Sequence, residues 1–235
     1  MDFLRARWED LILANYTLNP AVLEPYVPAG TELDFHGGEC YVSLVAFMFR
    51  KTRVMGIPVP FHQNFEEVNL RFYVRPIHQP ELRSVCFIRE IVPRAAIPLI
   101  SNTLFKEHYH ATRMSHRIEH PEISYSWGKK LEYSITAKLS STAGLPAKGS
   151  LDEFITEHYH GFSAHPRGTL HYQVFHPQWE VSNLENCRID VDFEANYGRE
   201  FAFLNEAQPA SICYANGSDV RVSFPSRLKS GSRID

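Results

Sequence analysis

The stretch FEEVNLRFYV, residues 65–74, alternates like a β-strand and decides how the rest of the chain is interpreted. Successive side chains of a strand point to opposite faces, so one face is apolar and the other holds Glu67, Asn69, Arg71 and Tyr73. Glu67 and Arg71 are about 13–14 Å apart along a strand, so we expect each to contact a ligand or a neighbouring strand. Two interpretations stay open. The polar face meets water, or it lines a cavity in which arginine binds a carboxylate and glutamate acts as acid or base.

Other segments have the same two-residue period and predict a strand-rich protein. We expect strands at 8–18, 39–50, 66–75, 83–92, 109–118, 131–140, 168–176, 187–194 and 211–215. Helices are few: a short one capped by Asn19, one over about 97–107, and one over 151–160 that begins with a capping box, Ser150 and Glu153. The predicted class is mainly β (α+β), with a few short helices.

Composition indicates a globular protein with no nucleic-acid or membrane partner. The net charge is −3 and 44% of the residues are hydrophobic, so no basic surface for nucleic acid or anionic lipid is predicted. No apolar run approaches the roughly 20 residues that cross a bilayer. The N-terminus lacks the pattern of a signal peptide, and the four cysteines form no CxxC pair. We expect a reduced, cytoplasmic protein.

No segment has the length and composition of a linker. We therefore predict a single domain over residues 1–225. The last ten residues, 226–235, read SRLKSGSRID and are poor in apolar side chains, so we expect a flexible tail.

Several motifs, in order along the chain, resemble the YqjF-like family of uncharacterised conserved proteins. They are W-x-D-L-I-L-A-N-Y at 8–16, LEPYVPAGTELD at 23–34, GIPVPFHQNFEEVNLRFYV at 56–74, VCFIREIVPRAAIPLI at 85–100, GSLDEFITEHYHGF at 149–162 and His-Pro-x-Trp at 176–179. The resemblance covers about residues 8–200. It implies the acetoacetate-decarboxylase-like superfamily: a curved antiparallel sheet that closes into a barrel around a central cavity. On that fold, Glu67 matches a pocket carboxylate, which supports the cavity interpretation of 65–74.

The lysine pair of acetoacetate decarboxylase has no counterpart at the corresponding place. That enzyme forms a Schiff base through a lysine amine, and the matching stretch here, KEHYHATRM at 106–114, contains no lysine pair. Lys106 falls at the end of the predicted preceding helix, too early to point into the cavity. The Lys129-Lys130 pair fits a solvated hairpin turn. We therefore do not expect decarboxylation.

Histidines are the other residues with potential chemistry. The tetrapeptide EHYH occurs at 107–110 and 157–160. Because the second copy lies at a predicted helix, where positions two apart diverge, we expect surface or pocket histidines and no metal site. In the turn FHPQW, we keep His176 and Trp179 as candidate ligand-binding residues, although an aromatic side chain at a strand end more often closes a core.

We therefore expect a protein with a pocket for an organic acid or another oxygen-rich metabolite. Ligand binding is assigned to Asn69, Arg71, Tyr73, Arg113, His176 and Trp179. Glu67 and His110 are the candidates for proton transfer. The alternatives are a lyase, hydratase or isomerase that acts beside a carbonyl with Glu67 and His110, and a non-catalytic structural or interaction protein. No dinucleotide, nucleotide or hydrolase motif is present, so no cofactor is expected. The superfamily resemblance adds a homo-oligomer as a further expectation.

Overall fold

The structure is a computed structural model that describes residues 2–94, 108–140, 142–228 and 234. The strands are β1 Asp2–Thr17, β2 Thr31–Leu33, β3 Tyr41–Val54, β4 Ile57–Pro58, β5 Phe65–Pro76, β6 Ser84–Val92, β7 Tyr109–Ala111, β8 Met114–Glu119, β9 Glu122–Trp127, β10 Tyr133–Leu139, β11 His160–His165, β12 Gly168–Phe175, β13 Val181–Asp190, β14 Ser211–Ser223 and β15 Ser226–Arg227. The α-helices are α1 Leu151–Thr156 and α2 Phe193–Tyr197, and 3-10 helices lie at Pro20–Val22, Glu24–Tyr26 and Arg199–Asn205.

The sheet closes on itself. Its strands run in the order β12-β11-β6-β5-β3-β1-β14, and a further pairing of β12 with β14 joins the two ends of that series. From β14 the sheet continues outward through β13, β10, β9 and β8. Most pairs are antiparallel, while β11 and β7 each run parallel to β6. The predicted mainly-β class with a closed sheet and few helices is confirmed.

Several strand bounds differ from the prediction. The strand expected at 109–118 is two strands, β7 and β8, and the one expected at 187–194 is β13, which begins and ends earlier. Strand β14 was expected to end at 215 but continues to Ser223 through Asn216-Gly217, a dipeptide that favours a turn. It continues because Gly217 takes a φ of +77° while staying paired with Glu9 of β1.

The helix predicted over 151–160 begins as expected and ends early. The Ser150 side chain accepts a hydrogen bond from the Glu153 amide, which confirms the cap, but the helix stops at Thr156. Strand β11 then begins at His160, the last residue of the range that was predicted to be helical, and the sequence analysis did not predict this strand. The helix predicted over 97–107 lies outside the described residues. In the described part of the chain, no helix has both the length and the apolar character of a bilayer-spanning segment.

The predicted tail starts with ordered residues. Ser226 and Arg227 form β15 and pair with His171 and Leu170 of β12, and the flexible tail stays a prediction. The side chain of Gln79 donates to the carbonyl of Ile234 at 3.2 Å. The other residues after 228 lie outside the described part.

Strand β5 is buried on both faces. Val68, Leu70, Phe72 and Val74 belong to the main hydrophobic core, where they pack with strands from both parts of the sheet. The opposite face, with Tyr73, belongs to the second core cluster inside the ring. The sheet continuation and the ring together exclude water from β5, so the interpretation of its polar face as a solvated surface is wrong.

A pair of buried histidines lies where β11 meets β12. The Nδ1 atom of His160 is 2.8 Å from Nε2 of His171, and the two rings stack. Burial lowers the pKa of both imidazoles, and the neighbouring His160 ring lowers the pKa of His171 further, to about 4. The folded protein therefore keeps this pair neutral at pH values at which free histidines are charged.

We expect the protein to lose stability on mild acidification, in part through His171. Its pKa is lower in the folded state than the usual value of about 6.5 in an unfolded chain. The unfolded state thus binds the proton first, and stability that is complete above pH 6.5 declines as the pH falls toward 4. Between pH 7.5 and pH 5, His171 should account for about 2 kcal/mol of lost unfolding free energy, measured by urea denaturation.

The His171→Gln variant should lose about that much less stability between the two pH values, whatever its stability at pH 7.5. The exposed His78 provides the matched substitution, His78→Gln, which should keep the pH dependence of the parent. Equal losses in the parent and in His171→Gln would contradict the assignment.

Candidate functional site

The closed ring encloses a cavity of about 100 Å³. Strands β1, β3, β5, β6, β7, β12 and β14 each contribute side chains to its wall, and the chain around the end of α1 and after β12 completes it. At roughly 30 Å³ for each water in the liquid, the cavity has room for about three waters. It is large enough for a small organic molecule.

The polar side chains of β5 form one wall of this cavity. Glu67, Asn69 and Arg71 all line it, and they are 3%, 3% and 8% exposed. The amide of Asn69 donates from Nδ2 to Oε1 of Glu67 at 2.9 Å, and the hydroxyl of Tyr109 lies 3.5 Å from Oε2 of Glu67. The structure thus brings together these three predicted residues, because alternate positions of one strand share a face.

Arg71 is a buried cation beside the cavity. Its Nη2 donates to the carbonyl of Ile155 at 2.9 Å, and its guanidinium lies 5.8 Å from the centre of the Tyr73 ring. Among the described residues, no carboxylate oxygen lies within 4.0 Å of the guanidinium, and Nε has no hydrogen-bond partner there. A buried charge without a counter-ion is costly to the fold.

Tyr73 lies below the cavity and does not line it. Its hydroxyl is 2.6 Å from Oγ of Ser43, which donates to Asn15 at 2.6 Å. Burial raises the pKa of Tyr73, so the phenol stays protonated. We assign it to the support of Arg71 and of the neighbouring rings, in place of the ligand contact predicted from its strand face.

His158 lines the cavity and was missed as a site residue by the sequence analysis. It follows the end of α1, is 6% exposed, and packs against the rings of Tyr73 and Phe154 at 4.6 and 5.3 Å. In the described part, neither ring nitrogen has a hydrogen-bond partner of good geometry. Burial, and then the positive charge of Arg71, hold the pKa of His158 well below its usual range. The second EHYH motif was the available signal, but it did not show which histidine faces inward.

His176 and Trp179 both line the cavity, as the turn FHPQW allowed. The His176 ring stacks on Trp179 at 4.2 Å and on Tyr159 at 4.7 Å. The indole of Trp179 is 2% exposed, and its Nε1 donates to Oγ of Ser218 at 2.9 Å. Burial lowers the pKa of His176. The turn therefore provides a stacked aromatic wall beside His158.

His110 and Arg113 are not brought to the cavity, which contradicts their predicted places in the site. On β7, Tyr109 pairs with Glu90, which faces the cavity, whereas His110 pairs with Ile91, which faces the main core side. His110 therefore points away from the cavity and is exposed. Arg113 lies in the break between β7 and β8 and lines a separate open groove with Arg50 and His116. For His110, one residue of strand register decides the outcome.

The other groups weighed from the sequence lie elsewhere. Within the described ranges, no lysine lines the cavity and no group of three or more histidine, cysteine or acidic side chains has the arrangement of a metal site. Lys129 and Lys130 are exposed at the turn between β9 and β10. Lys106 lies outside the described residues.

Taken together, the cavity wall has one cation, one neutral imidazole, one amide oxygen and one indole N–H in need of partners. Oδ1 of Asn69, Nε of Arg71, Nε1 of Trp8 and both nitrogens of His158 are buried and lack partners in the residues that the structure covers. Buried polar atoms of folded proteins are nearly always paired with protein, water or ligand. A ligand with a carboxylate and a hydroxyl group would meet Arg71, Asn69 and one nitrogen of His158.

Comparisons with known proteins give a family and a fold. The family model DUF2071, described as an uncharacterized conserved protein, matches residues 5–219. The uncharacterized protein YqjF of Bacillus subtilis (strain 168) is 28% identical over 223 residues, which are 92% of this chain and 89% of the relative. The family resemblance found in the sequence motifs is therefore confirmed.

Solved structures show the same fold at low sequence identity. An acetoacetate-decarboxylase-like enzyme from Sphingomonas wittichii RW1 has a TM-score of 0.66 and 13% identity, and the match covers 98% of this chain and 94% of that one. The enduracididine biosynthesis enzyme MppR, solved in complex with pyruvate, has a TM-score of 0.66 and 9% identity, with coverage of 99% and 93%. The acetoacetate-decarboxylase-like fold is confirmed.

Proposed function

This chain belongs to the DUF2071 family, and from that premise we propose that it binds a small organic acid in the cavity of its closed sheet. The observation that carries the proposal is the buried guanidinium of Arg71, which faces the cavity with no carboxylate of the described chain within 4.0 Å. The pyruvate complex of MppR, which shares the fold, is consistent with a ligand of this class.

The carboxylate of the ligand pairs with Arg71. Arginine binds carboxylates through two parallel hydrogen bonds that are stronger than neutral ones. Nη2 is already committed to the carbonyl of Ile155, and Nε is available in the described part. Because the guanidinium of Arg71 is buried, the ligand also supplies the counter-ion that the described residues do not place beside it.

A second oxygen of the ligand meets Asn69 and His158. The carboxylate of Glu67 fixes the Asn69 side chain with its Nδ2 toward Glu67, so Oδ1 is an acceptor and requires a donor. A neutral imidazole has one donor and one acceptor nitrogen. A hydroxyl group satisfies both residues, and an oxo group satisfies the donor of His158. The ligand class is therefore a 2-hydroxy or 2-oxo acid.

Proton transfer is a second candidate function at the same site. Glu67 is held by Asn69 and Tyr109, and His158 stays neutral because its pKa is depressed, so one carboxyl group and one imidazole line the same cavity. In the alternative of a lyase, hydratase or isomerase, His158 therefore replaces His110 as the partner of Glu67. Such a pair can remove and return a proton beside a carbonyl.

Ligand-induced stabilisation tests the binding proposal. We expect 2-hydroxy and 2-oxo acids at 100 times their Kd to add about 2.7 kcal/mol of stability, which raises Tm by roughly 5–10 °C for a chain of this size. Each acid is paired with its amide, for example lactate with lactamide, so that only the carboxylate changes. The proposal fails if no acid raises Tm, or if the amides raise it equally.

The same mixtures in D2O distinguish catalysis from binding. If Glu67 and His158 transfer protons, the C3 hydrogens of a bound 2-oxo acid exchange for deuterium faster than without protein, as NMR would show. If the acid binds but its hydrogens exchange no faster than without protein, the site binds the acid and does not catalyse proton transfer.

A further inference from the structure

An open groove lies on the face of β5 opposite the cavity. Neighbouring side chains of a strand point to opposite faces, so Glu67 lines the cavity whereas Glu66 lines this groove. Strand β8 forms its other side, and Nδ1 of His116 on β8 lies 2.6 Å from Oε1 of Glu66. The proposed acid site uses none of these groups.

Three arginines from separate parts of the chain line the groove. Arg50 lies on β3, Arg94 follows β6, and Arg113 lies between β7 and β8. Like charges that share one groove repel each other. The net charge of the chain is −3, so the convergence of three guanidinium groups is a local feature and does not follow from a general excess of basic residues.

The described residues supply little negative charge to compensate these arginines. Among them, no carboxylate oxygen lies within 4.0 Å of Arg94 or Arg113, and Arg50 has one at 3.6 Å, in Glu9. The buried carboxylate of Glu66 lines the groove but is already paired with an imidazole. The groove therefore has an excess of positive charge that an anion would neutralise.

Neutral groups of the groove add hydrogen-bond donors and an apolar floor. Oδ1 of Asn64 accepts a hydrogen bond from a backbone amide of β3 at 3.0 Å, so the Nδ2 group remains as a donor. Because Nδ1 of His116 contacts Glu66, Nε2 is the imidazole nitrogen left for a ligand. The buried side chains of Met48 and Phe65 line the floor.

We propose that this groove binds the phosphate group of a small phosphate monoester. A phosphate monoester carries a charge of about −1.5 to −2 at neutral pH and has three strong acceptor oxygens, which suits three guanidinium groups. A carboxylate has one charge and two oxygens, which one arginine can satisfy. The organic part of the ester packs on Met48 and Phe65. This second site is independent of the acid site around Arg71.

Titration with phenyl phosphate at constant ionic strength tests the proposal. We expect saturable shifts of the Nε–Hε NMR signals of Arg94 and Arg113. Inorganic phosphate should bind more weakly, because it has no apolar part to cover the floor. Benzoate, which has the ring and a single charge, should shift these signals with a Kd about tenfold higher, as expected for one charged hydrogen bond fewer.

Two arginine variants locate the site. Arg113→Met should raise the Kd of phenyl phosphate about tenfold. Because Arg113 is exposed, the variant should unfold at the same urea concentration as the parent when no phosphate is present. Arg117 supplies the control: it lies next to His116 on β8, is 68% exposed, pairs with Glu119 and does not line the groove. Arg117→Met should keep the Kd of the parent.

Several results would overturn the proposal. They are the absence of saturable shifts, equal Kd values for phenyl phosphate and benzoate, and equal losses in Arg113→Met and Arg117→Met. Inorganic phosphate that binds as tightly as phenyl phosphate would make the free ion the ligand. Binding only to vesicles that contain phosphatidic acid would make it a lipid headgroup.

Arg71→Met separates this site from the acid site. Arg71 lines the cavity and not the groove, so the variant should bind phenyl phosphate like the parent. A large loss of phenyl phosphate binding in Arg71→Met would place the phosphate in the cavity and contradict the second site. Failure of lactate to bind the parent would contradict the acid site alone.

Discussion

Arg71→Met is expected to weaken the binding of organic acids by roughly 30- to 4,000-fold, corresponding to the 2–5 kcal/mol typical of a truncated partner in a buried charge pair. Methionine keeps much of the length of arginine and removes its charge and its donors. The ligand carboxylate would then enter a buried wall with no cation to meet it, in a cavity that also holds the carboxylate of Glu67. Calorimetric titration with lactate provides the measurement.

The stability of this variant separates a binding role from a structural one. A residue kept for the fold loses stability when it is truncated. Arg71 has one hydrogen bond to the carbonyl of Ile155 and no counter-ion in the described residues. Its buried charge therefore lowers the stability of the unliganded protein. Arg71→Met should therefore unfold at the same urea concentration as the parent or at a higher one.

An exposed arginine is the matched control for Arg71. The side chain of Arg188 on β13 is 79% exposed, and Arg188→Met should leave acid binding unchanged. Arg71→Lys keeps the charge without the planar fork and should recover part of the affinity. If Arg71→Met binds lactate like the parent, Arg71 does not hold the carboxylate. If it unfolds much more easily, its role is structural.

Gly217→Ala is expected to destabilise the protein by about 2–5 kcal/mol, the sum of a left-handed backbone and an overpacked contact. Gly217 has a φ of +77° in β14 where β14 pairs with β1. A Cβ atom at this position would overlap the backbone carbonyl of Trp8 and lie 2.9 Å from Cδ1 of Leu11. Backbone cannot move aside as a flexible side chain does, so the pairing of the two strands must distort. Urea denaturation measures the loss.

Gly56→Ala isolates the backbone part of this effect. Gly56 also has a positive φ, +81°, but a Cβ atom there meets nothing within 4 Å. We expect a loss of about 1–2 kcal/mol for this variant. Equal losses for the two variants would show that the contact with Trp8 costs nothing. Because Trp8 and Leu11 both line the cavity, Gly217→Ala should also weaken the binding of lactate in whatever fraction stays folded.

The local sequence pattern predicted the structure correctly where the relevant residues lie within one element. The alternation of 65–74 predicted which side chains of β5 share a face, and three of its four polar residues line one cavity. The capping box at Ser150 located the start of α1. The pattern was a poor guide where a position depends on its neighbours: β14 continues past Asn216-Gly217 because β1 pairs with it on both sides of that dipeptide.

The candidate site also shows where local sequence pattern is insufficient and contacts with distant elements decide the structure. His110 is the last residue of the first EHYH and His158 is the first histidine of the second, and sequence alone kept His110 as the site residue. Pairing of β7 with β6 turns His110 outward, whereas the early end of α1 turns His158 into the cavity. Neither event is encoded in the tetrapeptide. Each depends on a partner element that is distant in the chain.

The sequence by itself determined the strand-rich class, the family and the shared face of Glu67, Asn69 and Arg71, because backbone alternation is a property of consecutive residues. Only the tertiary structure decided that this face is enclosed, since enclosure requires β12 to meet β14 across the ring. It also decided that His158 is the inward histidine, that Arg71 has no carboxylate partner among the described residues, and that aromatic rings from separate strands line the cavity. Those facts concern distances between residues far apart in the chain, which no local pattern of side chains specifies.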